Sequence, residues 1–246
     1  MTVTNNSSLD EIDKEVAASL FEIYSTSERQ LWRSNMVSSL NGAITYDGKS
    51  APISNSIDRL AFKIHRSLAS AVVVGSKNVV AESYFAPLKR PLPIDQSGRA
   101  LERYPHLVIV TNGQTSFANS ALLRDSTDRF TIITSKSGFA SVDTELRSAK
   151  VDADVIIQGD TSVDMNSARL YLDERFPGLK VVEGGPSILT NMLRAKVLDQ
   201  LALSVTPKIV PTTFPFIGNN ETSICNLTLY RHLVIADTLL LVYRIL

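Results

Sequence analysis

Cysteine is nearly absent from this chain, because Cys225 is the single cysteine among 246 residues. One thiol excludes an internal disulfide framework and any zinc site built from clustered cysteines. The three histidines, His65, His106 and His232, are spaced too widely along the sequence to indicate a metal site in their place. We therefore predict that the protein holds no metal.

The chain also lacks an excess of either charge, since 25 lysines and arginines balance 25 aspartates and glutamates. No overall positive field exists to attract nucleic acid or an acidic membrane surface. No apolar run approaches the ~20 residues that cross a bilayer, and the polar N-terminus does not resemble a secretory signal. The sequence thus predicts a cytoplasmic protein that binds neither nucleic acid nor a membrane, and any phosphate group must be bound locally.

Strand-like and helical runs alternate along most of the chain. This order predicts an α/β fold with a mostly parallel central sheet, helices on both faces and antiparallel strands at the C-terminal edge. Apolar residues at helical spacing over 9–23 predict an N-terminal helical extension in residues 1–28, followed by one domain in residues 29–246. The predicted strands are 31–37, 71–74, 107–111, 130–134, 154–158, 179–182, 201–205, 232–236 and 238–243. The predicted helices are 56–67, 76–83, 166–176 and 187–195, and a proline-rich loop is predicted at 84–105.

A glycine pair between a predicted strand and a predicted helix is the most informative feature. In V-V-E-G-G-P-S-I-L, residues 181–189, the strand ends at Gly184 and Gly185, and Pro186 and Ser187 suit the start of a helix. Glycines allow a ligand close to the backbone, and the free N–H groups of a helix start favour an anion such as a pyrophosphate. A tight turn without a ligand explains this motif equally well.

Two further turns after predicted strands carry polar residues. Gly75 precedes the donors Ser76, Lys77 and Asn78, and the third turn contains residues 111–113, Thr-Asn-Gly. Turns at the carboxyl ends of parallel strands converge on one crevice, so the three turns together suit one elongated cofactor. Each turn taken alone is an ordinary connection.

Arg66 at the end of a predicted helix has two interpretations. An arginine there favours the negative end of the helix dipole, which is the simpler explanation. It also suits a phosphate clamp, in which each charged hydrogen bond contributes ~1.5–3 kcal/mol. The segment before this helix, residues 37–50, has turn chemistry at Asn41-Gly42 and Asp47-Gly48 and is rich in hydroxyls.

Three segments together resemble a known family. They are V-S-S-L-N-G, V-V-V-G-S-K-N-V-V-A-E and V-V-E-G-G-P-S-I-L, which begin at residues 37, 72 and 181. In this order they resemble the reductase domain of the bifunctional riboflavin deaminase-reductases, in the dihydrofolate-reductase-like superfamily. R-S-N-M-V-S-S-L-N-G followed by D-G-K-S is similar to the stand-alone pyrimidine reductases of actinobacteria. The resemblance runs from about Leu31 to the C-terminus, and with the apolar C-terminal strands it implies a homodimer.

The resemblance also implies a cofactor, a substrate and a reaction. NADPH would deliver hydride to the ribosylamino carbon of 5-amino-6-(5-phosphoribosylamino)uracil, a phosphorylated pyrimidine, and open its sugar to a ribityl chain. Arg66 would hold the phosphate and Glu183 would accept hydrogen bonds from the pyrimidine. The implied cofactor-binding residues are Val37, Ser76, Lys77, Asn78, Glu82, Thr111, Asn112, Gly184, Gly185, Pro186, Ser187, Ile188 and Leu189. The implied substrate-binding residues are Ser39, Ser50, Arg66 and Glu183, and no catalytic acid is identified.

Some positions depart from the family pattern. Asn41 replaces an aspartate, Pro52 a tryptophan and Asn78 a threonine, and the segment 83–90 does not match the family's D-N-P-x-L-T-V-R. No zinc deaminase signature is present in the sequence. Two alternatives therefore remain open: a reductase of dihydrofolate or another pteridine, and a nucleotide-binding relative that has lost catalysis.

Overall fold

The computed structural model describes residues 14–88, 104–211 and 225–246. Most of the predicted proline-rich loop and the first part of the predicted N-terminal helix lie outside these residues. The strands are β1 (Gln30–Ser39), β2 (Ala69–Gly75), β3 (His106–Thr111), β4 (Phe130–Thr134), β5 (Ala153–Ile157), β6 (Gly178–Val182), β7 (Gln200–Thr206), β8 (Leu227–Ile235) and β9 (Thr238–Ile245). The helices are α1 (Lys14–Tyr24), α2 (Ser56–Leu68), α3 (Ser76–Ala81), α4 (Ala121–Asp125), α5 (Lys136–Ala149), α6 (Met165–Arg175) and α7 (Pro186–Arg194).

All nine strands form one sheet in the order β5-β4-β3-β2-β6-β1-β7-β9-β8. The first seven strands in this order are parallel, whereas β9 pairs antiparallel with both β7 and β8. β8 and β9 are joined by Ala236 and Asp237, which both have positive φ, as a two-residue type I′ hairpin turn requires. The predicted α/β class, with a mostly parallel sheet and antiparallel C-terminal strands, is confirmed.

Helices cover both faces of the sheet because the apolar residues of its strands point alternately to opposite sides. In β2, Val72 and Val74 belong to the core under α3, α4 and α5, whereas Ala71 and Val73 belong to the core under α6 and α7. α1 and α2 complete the first face over β7 and β9. Buried parallel strands of this kind read as continuous apolar runs, which is why they were visible in the sequence.

The cap and the apolar face of α2 position this helix against the sheet. Its N-cap is Asn55, whose side chain accepts a hydrogen bond from the backbone N–H of Asp58, and Leu60, Ala61 and Ile64 face the core. The helix ends at Leu68, and β2 begins at the next residue. This direct connection holds the last turn of α2 close to the sheet.

Two helices, α4 and α5, were not predicted. α5 lies between β4 and β5, where the sequence predicts no helix or strand. Its buried residues are Gly138, Val142 and Leu146, so its apolar stripe is one residue wide and too narrow for a helical pattern to be recognised. The strand β8 also begins at Leu227, five residues before the predicted strand, because its apolar residues are interrupted by polar ones.

α1 is joined to the sheet by buried side chains. Leu20, Phe21, Ile23 and Tyr24 pack into the core formed with α2, β7 and β9. The buried guanidinium of Arg33 on β1 donates to the backbone carbonyl oxygen of Tyr24 at 2.6 Å. The described part of the N-terminal extension therefore packs as part of the body.

Across the described residues, no helix is long and apolar enough to cross a membrane. The same part of the chain contains no group of three or more histidine, cysteine, aspartate or glutamate residues that could hold a metal ion.

Candidate functional site

The carboxyl ends of β2, β6 and β1, which are neighbours in the sheet, lie side by side at the candidate site. Each of these strands ends within one of the three segments that resemble the known family in sequence. The glycine turns after β2 and β6 are in direct contact, because the N–H of Gly75 donates to the carbonyl oxygen of Gly184 at 3.2 Å. The structure therefore brings these two turns together.

The glycine pair after β6 has a backbone conformation that other residues rarely adopt. Gly184 has φ +80°, and a Cβ atom there would lie 2.9 Å from Sδ of Met36. Gly185, the N-cap of α7, has φ +39° and provides no side-chain cap. The first N–H groups of a helix have no acceptor within the helix, so the start of α7 suits an anionic group. Ile188 and Leu189 point into the core, and only their backbone is available to a ligand.

The two other turns are held by their own polar side chains. Asn78 donates from Nδ2 to the carbonyl oxygen of Glu183 at 3.1 Å, and Ser76 donates to the hydroxyl of Thr115 at 3.0 Å. After β3, Oδ1 of Asn112 accepts from the N–H of Val163 at 3.0 Å. Lys77 is exposed on the first turn of α3. Ser76 and Asn112 thus order the turns that carry them, in addition to any contact with a ligand.

A cavity of about 470 Å³ lies over the carboxyl ends of β1 and β6. This volume falls within the range of small-molecule sites. Its wall is formed by α2, the segment 44–51, residues 82–88 and the glycine turn after β6. The predicted site residues that line it are Val37, Ser50, Arg66, Asn78, Glu82, Glu183, Gly184, Gly185 and Pro186. The predicted site residues that do not line it are Ser39, Ser76, Lys77, Thr111, Asn112, Ser187, Ile188 and Leu189.

The guanidinium of Arg66 forms a two-point ion pair with Glu183. Nε donates to Oε1 at 2.7 Å and Nη2 donates to Oε2 at 2.6 Å, while the hydroxyl of Tyr84 donates to Oε2 at 2.7 Å. The rings of Phe62 and Tyr84 lie 4.3 and 5.3 Å from Cζ of Arg66. The side chain of Glu183 is 1% exposed and that of Arg66 is 14% exposed. Arg66 is therefore the member of the pair that a ligand in the cavity reaches.

The electrostatics of this cluster fix its protonation states. Burial raises the pKa of the Tyr84 hydroxyl well above its ordinary value, and the charge of Glu183 raises it further. Burial lowers the pKa of Arg66, but the charge of Glu183 more than offsets this, and the pKa is raised. Arg66 is thus a cation and Tyr84 a hydrogen-bond donor at neutral pH.

Glu82 and Ser39 hold loops at the edge of the cavity. Oε1 of Glu82 accepts from the backbone N–H and the hydroxyl of Ser50, at 3.1 and 3.0 Å. The hydroxyl of Ser39, 1% exposed at the end of β1, donates to Oδ1 of Asn41 at 2.7 Å and accepts from the N–H of Ala43 at 2.9 Å. Asn41 thus stabilises the turn into Gly42.

The cavity residues that were missed in the sequence include Asp58, Phe62 and Tyr84. Asp58 and Phe62 lie eight and four residues before Arg66 on α2, and side chains at this spacing share one face of a helix. That spacing was the available signal. Tyr84 gave none, because it follows α3 in an irregular segment whose contacts depend on the tertiary structure.

A model of a known domain family matches most of the chain. The model of the RibD C-terminal domain matches residues 32–241, and the chain belongs to this family. This confirms the resemblance seen in the three motifs. No curated protein sequence matches the chain at a significant level.

Several solved structures have a similar fold. A pyrimidine reductase-like protein of Corynebacterium diphtheriae has a TM-score of 0.73 and 20% identity, over 93% of this chain and 98% of that one. RibD of Acinetobacter baumannii has a TM-score of 0.66 and 17% identity, over 89% of this chain and 58% of that one. The riboflavin biosynthesis reductase Rib7 of Saccharomyces cerevisiae has a TM-score of 0.61 and 14% identity, over 90% and 93%. At these identities the similarity shows the fold.

Proposed function

We propose that this protein is a cytoplasmic NADPH-dependent reductase that converts 5-amino-6-(5-phosphoribosylamino)uracil to its ribityl form. The observation that carries the proposal is the cavity itself, whose lining contains both a glycine turn at a helix start and Arg66. The first suits a pyrophosphate and the second a sugar phosphate. Membership of the RibD C-terminal domain family supports the same reaction.

The proposed cofactor site extends from the cavity along the carboxyl ends of β6, β2 and β3. The pyrophosphate would lie at Gly184–Leu189, where the absence of a side-chain cap leaves backbone N–H groups for the ligand. Val37 would lie at the nicotinamide end, and Glu82 and Thr111 would also contact the cofactor. The residues at the 2′-phosphate end would be Ser76, Lys77, Asn78 and Asn112. Bound NADPH supplies the hydride, and the protein supplies its alignment.

Preference for NADPH over NADH is expected to depend on Lys77. Its exposed ammonium lies at the start of α3, where a charged hydrogen bond to the 2′-phosphate is available. Lys77→Met is expected to weaken NADPH binding by about 10- to 100-fold and to leave NADH binding unchanged, as measured by calorimetry. Lys63→Met, on α2 and outside the cavity wall, is the matched control. Equal losses for both nucleotides would refute the assignment.

The proposed substrate site is the part of the cavity lined by α2. Arg66 would bind the phosphate, and Ser50 and the turn held by Ser39 would contact the substrate. Glu183 was expected to accept hydrogen bonds from the pyrimidine. Its carboxylate already accepts three hydrogen bonds from Arg66 and Tyr84, so a contact with the pyrimidine would use the remaining acceptor position, on Oε1.

The assay that tests the proposal is oxidation of NADPH by the purified protein with two substrates in parallel. Turnover of 5-amino-6-(5-phosphoribosylamino)uracil with no turnover of dihydrofolate is the expected result. Turnover of dihydrofolate alone would show that the protein is a pteridine reductase, which is the first alternative from the sequence. Binding of NADPH without turnover of either compound would favour a relative that has lost catalysis.

We also propose that the protein is a homodimer that uses the β8 edge of its sheet. β8 is the last strand in the sheet order, and Leu227, Leu229, Tyr230 and Val234 are between 38% and 59% exposed. An exposed apolar edge strand is a template for pairing with another chain, and natural proteins cover such edges. A second copy of this chain presents the same apolar strand, as a twofold interface requires.

Val234→Asp is expected to convert the dimer to a monomer at micromolar concentration, because it buries a charge in the proposed interface. Light scattering coupled to size-exclusion chromatography measures the change. Leu170→Asp, at a 73% exposed position on α6 away from the edge, is the matched control and should remain dimeric. A monomeric wild-type protein would contradict the proposal.

A further inference from the structure

Three carboxyl groups among the described residues line the cavity: Asp58, Glu82 and Glu183. Glu183 accepts with both oxygens from Arg66 and Tyr84, and Glu82 accepts from Ser50. Both act as acceptors in bonds that hold the cavity wall. Asp58 has no part in the proposed function so far.

Asp58 lies near the start of α2 with only 7% of its surface exposed. The hydroxyl of Ser54 donates to its Oδ2 at 2.5 Å. No ion pair between described residues includes Asp58, in contrast to Glu183. A buried carboxyl group without a cationic partner is costly in its charged form. The cavity therefore has a wall group that favours holding a proton.

The groups that face Asp58 from the surrounding elements are few. The ionisable ones are Arg59 on its own helix, Tyr24 on α1 and Lys208 after β7. The ammonium of Lys208 donates to the backbone carbonyl oxygens of Pro52 and Ser54, at 2.7 and 2.6 Å. Burial raises the pKa of Asp58, and the hydroxyls of Ser54 and Ser204 and the charges of Arg59 and Lys208 offset this only in part.

We propose that Asp58 is the catalytic acid that opens the ribose ring of the substrate before reduction. This inference rests on the proposed function, which requires the ring oxygen of the sugar to leave the carbon that is reduced. It assigns a proton donor to the cavity, and it places the sugar between Asp58 and Arg66, which line the same face of α2.

The chemistry balances with one hydride and one proton. Asp58 gives its proton to the ring oxygen as the bond between that oxygen and the anomeric carbon breaks, and the nitrogen lone pair forms a C=N bond to that carbon. Bound NADPH would supply a hydride to that carbon, and the electrons of the C=N π bond would return to nitrogen. The product carries a new hydroxyl and a neutral amine. Asp58 is left as a carboxylate, which takes a proton from solvent in the next cycle.

The test compares wild-type protein with Asp58→Asn and Ser54→Ala. Asp58→Asn is expected to lower kcat with the pyrimidine by about 100-fold or more and to leave the affinity for NADPH unchanged. In wild-type protein kcat is expected to fall as rising pH deprotonates Asp58. Ser54→Ala removes a hydrogen bond that stabilises the carboxylate, so the pKa of Asp58 rises and this fall is expected at higher pH. Asp152→Asn, on the surface beside Arg129, is the matched control and should change neither quantity.

Thermal unfolding against pH gives a readout that does not depend on activity. Because the pKa of Asp58 is raised in the folded protein, its contribution to stability is present below the unfolded pKa and is lost as pH rises through the folded pKa. The melting temperature of Asp58→Asn relative to wild type is therefore expected to rise over that interval.

The outcomes separate the two proposals. If wild-type protein binds NADPH and does not reduce the pyrimidine, the substrate and the ring-opening role of Asp58 fail together. If wild-type protein reduces the pyrimidine and Asp58→Asn does so with the same kcat and pH profile, Asp58 alone is overturned. If kcat of Ser54→Ala depends on pH in the same way as kcat of wild-type protein, the role of Asp58 is also overturned.

Discussion

Replacing Arg66 with alanine is expected to destabilise the protein by about 3–5 kcal/mol, because it leaves the charge of Glu183 buried without a cationic partner. The side chain of Glu183 is 1% exposed, and it loses two charged hydrogen bonds when Arg66 is removed. For a chain of this size the melting temperature should fall by about 6–20 °C. Differential scanning calorimetry measures this loss.

The same substitution should abolish substrate binding, and a second variant separates the two effects. Arg66→Met combined with Glu183→Leu and Tyr84→Phe removes every polar group of the cluster at similar volume, and such replacements are often neutral for stability. We expect this triple variant to melt close to wild type, to bind NADPH normally and to lose the pyrimidine. Equal losses of NADPH and substrate affinity would contradict the proposed role of Arg66. An unchanged melting temperature in Arg66→Ala would contradict the cost of the unpaired carboxylate.

Gly113→Ala is expected to destabilise the protein by about 2–5 kcal/mol and to weaken NADPH binding. Gly113 has φ +75°, and a Cβ atom there would lie 2.6 Å from both Cα and O of Gly138 at the start of α5. Both neighbours are backbone atoms, so the turn after β3 must move. That turn carries Asn112, which is proposed to contact the 2′-phosphate.

Gly42→Ala is the matched control for this prediction. Gly42 also has a positive φ of +83°, but nothing lies within 4 Å of a Cβ atom there. Only the conformational cost of about 1–2 kcal/mol applies. Chemical denaturation of both variants and calorimetry with NADPH give the comparison. Equal losses of stability in the two variants would show that the contact with Gly138 is not the cause.

The sheet and its glycine turns were predictable because they follow from short-range patterns. Buried parallel strands are continuous apolar runs, and the turn at Gly184 and Gly185 follows one of them directly. α5 was missed because Val142 and Leu146 alone give too weak a periodicity. The order of the strands in the sheet also could not be predicted from the sequence, because it depends on pairing between segments that are far apart in the chain.

The sequence predicts several residues of the candidate site, but it does not predict which of them contact each other. Arg66 and Glu183 were both singled out as substrate residues, yet nothing in the sequence indicates that they pair, because 117 positions separate them. Their pairing depends on the last turn of α2 meeting the end of β6. Asp58 was overlooked because a carboxylate near the start of a helix is common for electrostatic reasons alone.

The position of β6 has a consequence for how the chain folds. β6 lies between β2 and β1 and pairs with both, although it follows them by more than a hundred residues. During synthesis the first two strands therefore emerge with no partner for these edges until residues 178–182 leave the ribosome. The strands exposed in that interval are apolar and their edges are open to pairing with other chains, so incomplete chains are exposed to aggregation. The cavity also forms late, because Glu183 in its wall directly follows β6.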